Sequence, residues 1–213
     1  YGIINNSNAL AIPYKEYSGQ IMFIHNDSSS NNTLHKLYEF LIEKKLDNLF
    51  DTFSFKKNLE DGIFFKSNIP LNYGLGSSGA LVAALYDTYS LNKNKIDLSE
   101  IIKELSSIES FFHGKSSGLD PLTSYLNSPI LVNANKSLKI IDKTLINTSH
   151  DNKGFFLIDT HISSKTQPLV DFFLNKLKDP SYKKSFENNF IKSTNNCIEF
   201  FLENDQTNLF SEM

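Results

Sequence analysis

The stretch Ile-Pro-Leu-Asn-Tyr-Gly-Leu-Gly-Ser-Ser-Gly-Ala at residues 69–80 constrains this chain more than any other. It lies between a short apolar run, residues 62–67, and a longer apolar segment that begins at Ala80. This order predicts a strand, a glycine turn and then a buried helix. Gly74 and Gly76 permit backbone conformations that other residues resist, so the chain there can pass close to a ligand.

The first turn of the predicted helix is a candidate anion site, because its N–H groups point back into the glycine turn. Phosphate is the usual ligand of such a site. Ser77 or Ser78 is expected to cap the helix. The alternative is a glycine turn that only begins a helix, because a short Gly-x-Gly pattern alone is weak evidence.

The full pattern around the glycines is more specific than Gly-x-Gly. It is not a Walker A motif, because no Lys follows the second glycine at the required position. Pro-x-x-x-Gly-Leu-Gly-Ser-Ser-small resembles the phosphate loop of the GHMP kinases, named for galactose, homoserine, mevalonate and phosphomevalonate. The resemblance implies that the nucleotide phosphates contact Gly74, Leu75, Gly76, Ser77, Ser78 and Gly79. Family members commonly have Ala in place of Gly79, and we interpret this difference as tolerable, with a slightly weaker helix start.

A second informative segment begins at Asp97, which is expected to cap a helix with an apolar stripe from Leu98 to Phe112. Glu109 falls on the inward face of this helix or at its border. A carboxylate there is costly unless it is paired or bound to a metal. In the alternative interpretation the Glu109 side chain lies at the border and extends into water.

The loop after this helix carries His113-Gly-Lys-Ser-Ser-Gly-Leu-Asp120-Pro121. Taken alone, Asp120 and Pro121 are typical of a helix cap followed by the first helical residue. Together with Glu109, the pattern Glu, then His-Gly-x-x-Ser-Gly-x-Asp, resembles the mevalonate kinase branch of the GHMP kinases. The resemblance implies that Ser78 and Glu109 bind Mg²⁺ and that Asp120 accepts or orients the proton of a substrate hydroxyl. It also makes His113 and Thr160 candidate substrate contacts.

Composition excludes several other classes of protein. The net charge is −3 and no long basic stretch occurs, so nucleic acid is not the expected partner. No apolar run approaches the ~18 residues of a membrane helix, so we expect no membrane association and a cytoplasmic protein. The 21 basic residues are all Lys, which excludes a bidentate Arg contact to phosphate. Cys197 is the only cysteine and is expected to be a buried, unreactive thiol.

The rest of the chain predicts an α+β fold in two parts. Residues 9–14 and 20–25 are expected to form two strands that pair with each other, and residues 53–55 are a further strand candidate. Turn-rich residues 147–153 suggest a domain boundary, with domains at residues 1–152 and 153–213. The resemblance implies a ribosomal-protein-S5-like first domain and the start of a ferredoxin-like second domain. We expect a fragment, because the family's first strand and its C-terminal glycine-rich motif have no counterpart here.

The resemblance implies an ATP- and Mg²⁺-dependent kinase that phosphorylates a hydroxyl of a small-molecule alcohol, and mevalonate is the first candidate. Phosphomevalonate kinase and sugar kinases are alternatives within the family. A GHMP-fold protein that binds a nucleotide or metabolite without turnover is an alternative of another class. The resemblance also allows a homodimer.

Overall fold

The computed structural model describes residues 7–23, 31–93, 97–142, 157–162 and 166–213. The chain divides into two compact units, one formed by Pro13–Asn127 and the other by Tyr1–Ile12 together with Ser128–Met213. Residues 1–6 lie outside the described residues. The predicted boundary between residues 152 and 153 also lies outside them and stays a prediction.

The described residues form short antiparallel strands and longer helices, so the fold is α+β. In chain order, the strands and helices of the described residues are β1 (Ala9–Ala11), β2 (Gly19–Met22), α1 (Asn31–Glu43), α2 (Thr52–Glu60), β3 (Phe64–Ser67), α3 (Ser77–Tyr89), α4 (Leu98–His113), α5 (Leu119–Leu126), β4 (Ile130–Val132), β5 (Leu138–Ile140), α6 (Thr166–Lys176), α7 (Pro180–Phe186), α8 (Lys192–Leu202) and α9 (Gln206–Glu212). A 3₁₀ turn precedes α2, and a π-helical segment joins α7 to α8.

The strands form two small antiparallel sheets, with strand orders β1-β4-β5 and β2-β3. The predicted pairing of β1 with β2 is therefore wrong. β1 pairs instead with β4, whose three residues are all buried and offer an apolar partner. The segment before β2 is bound instead to the residue that follows β3. The Asn68 side chain donates to the Glu16 carbonyl and accepts from the Ser18 N–H.

Residues 53–55, predicted as a strand, lie in helix α2. Asp51 begins this helix, and its carboxylate accepts a hydrogen bond from the Ser54 N–H at 3.0 Å. Two phenylalanines separated by one residue would share one face of a strand, but in a helix they point in different directions. Phe55 is fully buried and Phe53 is 81% exposed, which fits the helix.

A buried polar network joins α3 to α4. The Tyr86 hydroxyl donates to Glu104 at 2.7 Å, and the Asn92 side-chain amide donates to the other oxygen of the same carboxylate at 3.1 Å. Burial, reinforced by the hydrogen bond to Glu104, raises the pKa of Tyr86 to about 12, so the phenol stays protonated as a donor. The two helices that carry Ser78 and Glu109 are thus connected inside the core.

The second unit contains Cys197, on α8. The thiol is partly rather than fully buried. Desolvation raises its pKa, which disfavours the reactive thiolate, as expected for an inert cysteine. Among the described helices, none combines the length and apolar character needed to cross a bilayer.

Candidate functional site

The glycine turn ends at Gly76, directly before helix α3. Gly74 and Gly76 have φ values of +70° and +68°, which favour glycine and explain its presence at both positions. The predicted capping by Ser77 or Ser78 is wrong, because both are already helical and Gly76 holds the capping position without a side chain. Among the described residues, no capping side chain covers the first-turn N–H groups of α3, so they can bind an anion.

Ser78 connects the glycine turn to helix α4. Its Oγ lies 3.0 Å from Nε2 of His113 and 3.5 Å from Oε1 of Glu109. His113 lies in the last turn of α4 and its ring is exposed. The fold thus brings together three of the predicted site residues from two different helices.

Glu109 is 4% exposed, so its alternative placement as a border residue that reaches water is wrong. Burial raises the pKa of its carboxyl group, and the nearby negative charge of Asp120 adds to this effect. Hydrogen bonds from the hydroxyls of Ser116 and Ser78 act in the opposite direction. A buried carboxylate with hydroxyl donors and no adjacent cation among the described side chains is poised to accept a metal ion or a proton.

Asp120 is the second residue of α5, and its predicted role as the helix cap is wrong. Gly118 holds the capping position, with φ +72°, and the Ser117 hydroxyl accepts from the Leu119 N–H at 3.3 Å. The Asp120 carboxylate instead lies beside the glycine turn, because a Cβ added to Gly76 would be 3.9 Å from its Oδ2. The acid predicted to handle the substrate proton is therefore next to the predicted phosphate site.

Ser116 is a site residue that sequence reasoning missed. Its hydroxyl donates to Oε2 of Glu109 and accepts from the Gly118 N–H at 2.9 Å. Its carbonyl accepts from the Ser106 hydroxyl at 2.7 Å, which fixes the loop against α4. Ser116 occupies one of the unspecified positions of His-Gly-x-x-Ser-Gly-x-Asp, so only its spacing of seven residues from Glu109 could have indicated it.

Thr160, the other candidate substrate contact, belongs to the second unit and is exposed. Residues 163–165, from the same predicted loop, lie outside the described residues. The role of Thr160 stays a prediction.

The residues around Ser78 fit a magnesium ion that shares its coordination with a nucleotide. Mg²⁺ prefers oxygen ligands and is usually bound by one or two carboxylates together with substrate phosphates and water. Glu109 and Ser78 supply a carboxylate and a hydroxyl on the side of the glycine turn. No group of three or more His, Cys, Asp or Glu side chains within the described residues could hold a metal by itself. Phosphate oxygens would therefore be needed to complete the site.

The geometry defines a class of site: an anion-binding glycine turn beside a buried carboxylate and a second, exposed one. The family model described as GHMP kinases N terminal domain matches residues 32–128, a little under half of the chain. This segment contains both sequence patterns and all the site residues named above except Thr160. Comparisons with curated proteins and with solved structures each gave no significant match.

Replacing Ser78 by Ala is expected to weaken Mg²⁺-dependent ATP binding by ~1–3 kcal/mol, the range for losing one hydrogen bond or contact to a charged group. The reason is that the Ser78 hydroxyl is the one that faces Glu109 at the glycine turn. Titration calorimetry with and without Mg²⁺ measures the effect. Ser107→Ala is the matched control, because its hydroxyl is exposed on α4 and donates to the Lys103 carbonyl of its own helix. Equal affinities for wild type and Ser78→Ala would remove Ser78 from the metal site.

Proposed function

We propose that the protein is an ATP-dependent kinase that transfers the γ-phosphoryl group of ATP to a hydroxyl of a small molecule. The observation that carries this proposal is the placement of Asp120 beside the same glycine turn that Ser78 and Glu109 adjoin. Phosphoryl transfer needs phosphates held in place, their charge neutralised and an alcohol oriented for attack. The match of residues 32–128 to the GHMP kinase N-terminal domain supports the same reaction class.

Each of these requirements would be met by particular residues of the site. The N–H groups after Gly76 would hold the nucleotide phosphates at the N-terminus of α3. Ser78 and Glu109 would bind Mg²⁺, which when present neutralises the charge of the phosphates. Asp120 would accept or orient the proton of the substrate hydroxyl. His113, which contacts the Ser78 hydroxyl, would orient it and lie at the edge of the substrate site.

Mevalonate is the substrate we propose first, because the Glu and His-Gly-x-x-Ser-Gly-x-Asp pattern resembles that branch of the family. Phosphomevalonate and sugars are the alternative substrates, since the kinases that act on them catalyse the same type of phosphoryl transfer. The resemblance also supports a ribosomal-protein-S5-like first domain and a ferredoxin-like second domain. We propose a cytoplasmic location for the enzyme. A small-molecule alcohol, rather than a nucleic acid or a membrane, is the proposed partner, and a homodimer is compatible with this function.

A coupled ADP-release assay of the purified protein tests the proposal. The assay compares mevalonate, phosphomevalonate, galactose and homoserine, each with and without Mg²⁺. We expect Mg²⁺-dependent ADP release that requires one of these alcohols, with mevalonate the best. ATP binding without ADP release for any acceptor would favour the second candidate, a nucleotide- or metabolite-binding protein without turnover. The retention of both Glu109 and Asp120 favours the kinase, since a binding protein does not need both.

A further inference from the structure

We infer that Gly79 is a positioning residue: the absence of its side chain lets α5 approach α3 closely enough to place the Asp120 carboxylate at the glycine turn. The inference rests on the proposed function in one respect, namely that Asp120 acts on the substrate hydroxyl. It concerns a position where the family that the chain resembles commonly has Ala.

The space around Gly79 shows why Ala would not serve. Gly79 is buried in the first turn of α3. A Cβ added there would lie 2.9 Å from Cβ of Asp120, 3.0 Å from its carbonyl carbon and 3.0 Å from the Pro121 nitrogen. These are backbone or near-backbone atoms, which cannot rotate away as the end of a flexible side chain can. The optimal separation of two non-bonded carbon atoms is ~3.5–4.0 Å. The added Cβ would be closer than this to all three atoms, so the helices would have to move apart.

Helix α5 has little room to move, because its start is also packed tightly on the opposite side. Gly118, the residue before α5, faces α4: a Cβ added there would lie 2.3 Å from the Ile102 carbonyl oxygen and 3.0 Å from the Ser106 nitrogen. The first turn of α5 is thus confined between two helices at two glycines. A displacement from α3 would disturb the α4 contact as well, so a side chain at residue 79 cannot be absorbed by a small tilt.

Glycine at this position has a cost that the close approach explains. Gly is a poorer helix former than Ala, because it loses more backbone freedom on folding. Residue 79 is the only glycine within the helices of the described residues. What glycine allows in return is the close contact of α5 with α3, which places Oδ2 of Asp120 beside Gly76. Reaction rates are sensitive to such placement, and a misplacement of about 1 Å can cost ~10²-fold.

The test is Gly79→Ala, studied by crystallography and by kinetics in the intact protein. In the crystal structures we expect Asp120 to move away from the Gly76 backbone by about half an ångström or more, the distance needed to relieve the new contacts. In the ADP-release assay we expect kcat to fall roughly 10- to 100-fold, with KM for ATP changed by no more than about 3-fold. Asp87→Ala, an exposed substitution on the same helix, is the control and should leave both constants unchanged.

The double variant Gly79→Ala/Asp120→Asn separates positioning from general damage. If Gly79 acts through Asp120, the two losses are not additive, and the double variant has the kcat of Asp120→Asn alone. Additive losses, or an unmoved Asp120 in the Gly79→Ala structure, would overturn the inference. A wild-type protein that releases no ADP would instead overturn the proposed function, and the crystal structures would still decide whether Gly79 sets the position of Asp120.

Discussion

Asp120→Asn is expected to reduce kcat by ~10²–10⁴-fold, the usual contribution of a general base, while ATP affinity changes little. Asn keeps the shape of the side chain but cannot accept the substrate proton. The residue that caps α5 is Gly118 rather than Asp120, so the Asp120 side chain has no capping role to lose. No capping interaction is lost, and only the favourable charge in the first helical turn is removed, at ~0.3–1 kcal/mol.

The measurement is kcat and KM for ATP with the best acceptor, together with the melting temperature. Asp87→Asn is the matched control, because it removes an exposed carboxylate from α3 without touching the site. Asp120→Ala should match Asp120→Asn in both kcat and stability, since neither side chain is needed as a cap. Near-normal turnover in Asp120→Asn would refute the assignment of Asp120 as the base, and with it most of the kinase interpretation of the second pattern.

Glu109→Gln is expected to lower kcat by roughly 10²–10³-fold, comparable to the removal of one electrostatic group that stabilises the transition state. The same change should keep the melting temperature or raise it at neutral pH. Burial raises the pKa of Glu109, so the charged form is disfavoured in the folded protein, and Gln removes that charge. Glu109→Gln is thus expected to lose activity without losing stability.

The sign of the pH dependence follows from the direction of the pKa shift. A carboxyl group with a raised pKa binds its proton more tightly in the folded state, so wild-type stability gains as pH falls from above the folded pKa toward the unfolded pKa. The stability advantage of Glu109→Gln should therefore shrink over the same range. Melting temperatures of both proteins across mildly acidic to neutral pH measure it. Unchanged turnover and unchanged Mg²⁺ dependence in Glu109→Gln would show that the carboxylate does not serve the metal.

Sequence patterns predicted the parts of the fold that depend on residues close together in the chain. The cap at Asp97 is confirmed, since its carboxylate accepts from the Ser99 N–H at 2.8 Å. The buried helix after the glycine turn and the inward placement of Glu109 are confirmed for the same reason, because apolar spacing along one helix determines both. Strand pairing was not predictable in this way. The partner of β1 lies more than 100 residues away, and its choice depends on burial of β4 rather than on the nearby turn.

The candidate site was predictable as a set of residues but not as a set of contacts. The two patterns named Ser78, Glu109 and Asp120, and the fold brings them to one glycine turn. Sequence reasoning assigned the caps of α3 and α5 to polar side chains, whereas glycines in the left-handed conformation hold both positions. It also missed the Ser116 contact, because Ser116 is an unspecified position of the pattern and only its spacing from Glu109 hinted at it.

The two units differ in how soon their partners become available during synthesis. The contacts that build the site join residues within Pro13–Asn127, and the most distant pair among them, Gly76 and Asp120, is 44 residues apart. β1 by contrast precedes the site-bearing unit in the chain but finds its partner only when β4 has been synthesised, with Val132 opposite Ala9. Contacts between residues close in sequence form quickly, and contacts between distant residues form slowly. We therefore expect the site-bearing unit to fold before β1 and β4 pair, so that β1 keeps its backbone groups unpaired during synthesis until β4 emerges.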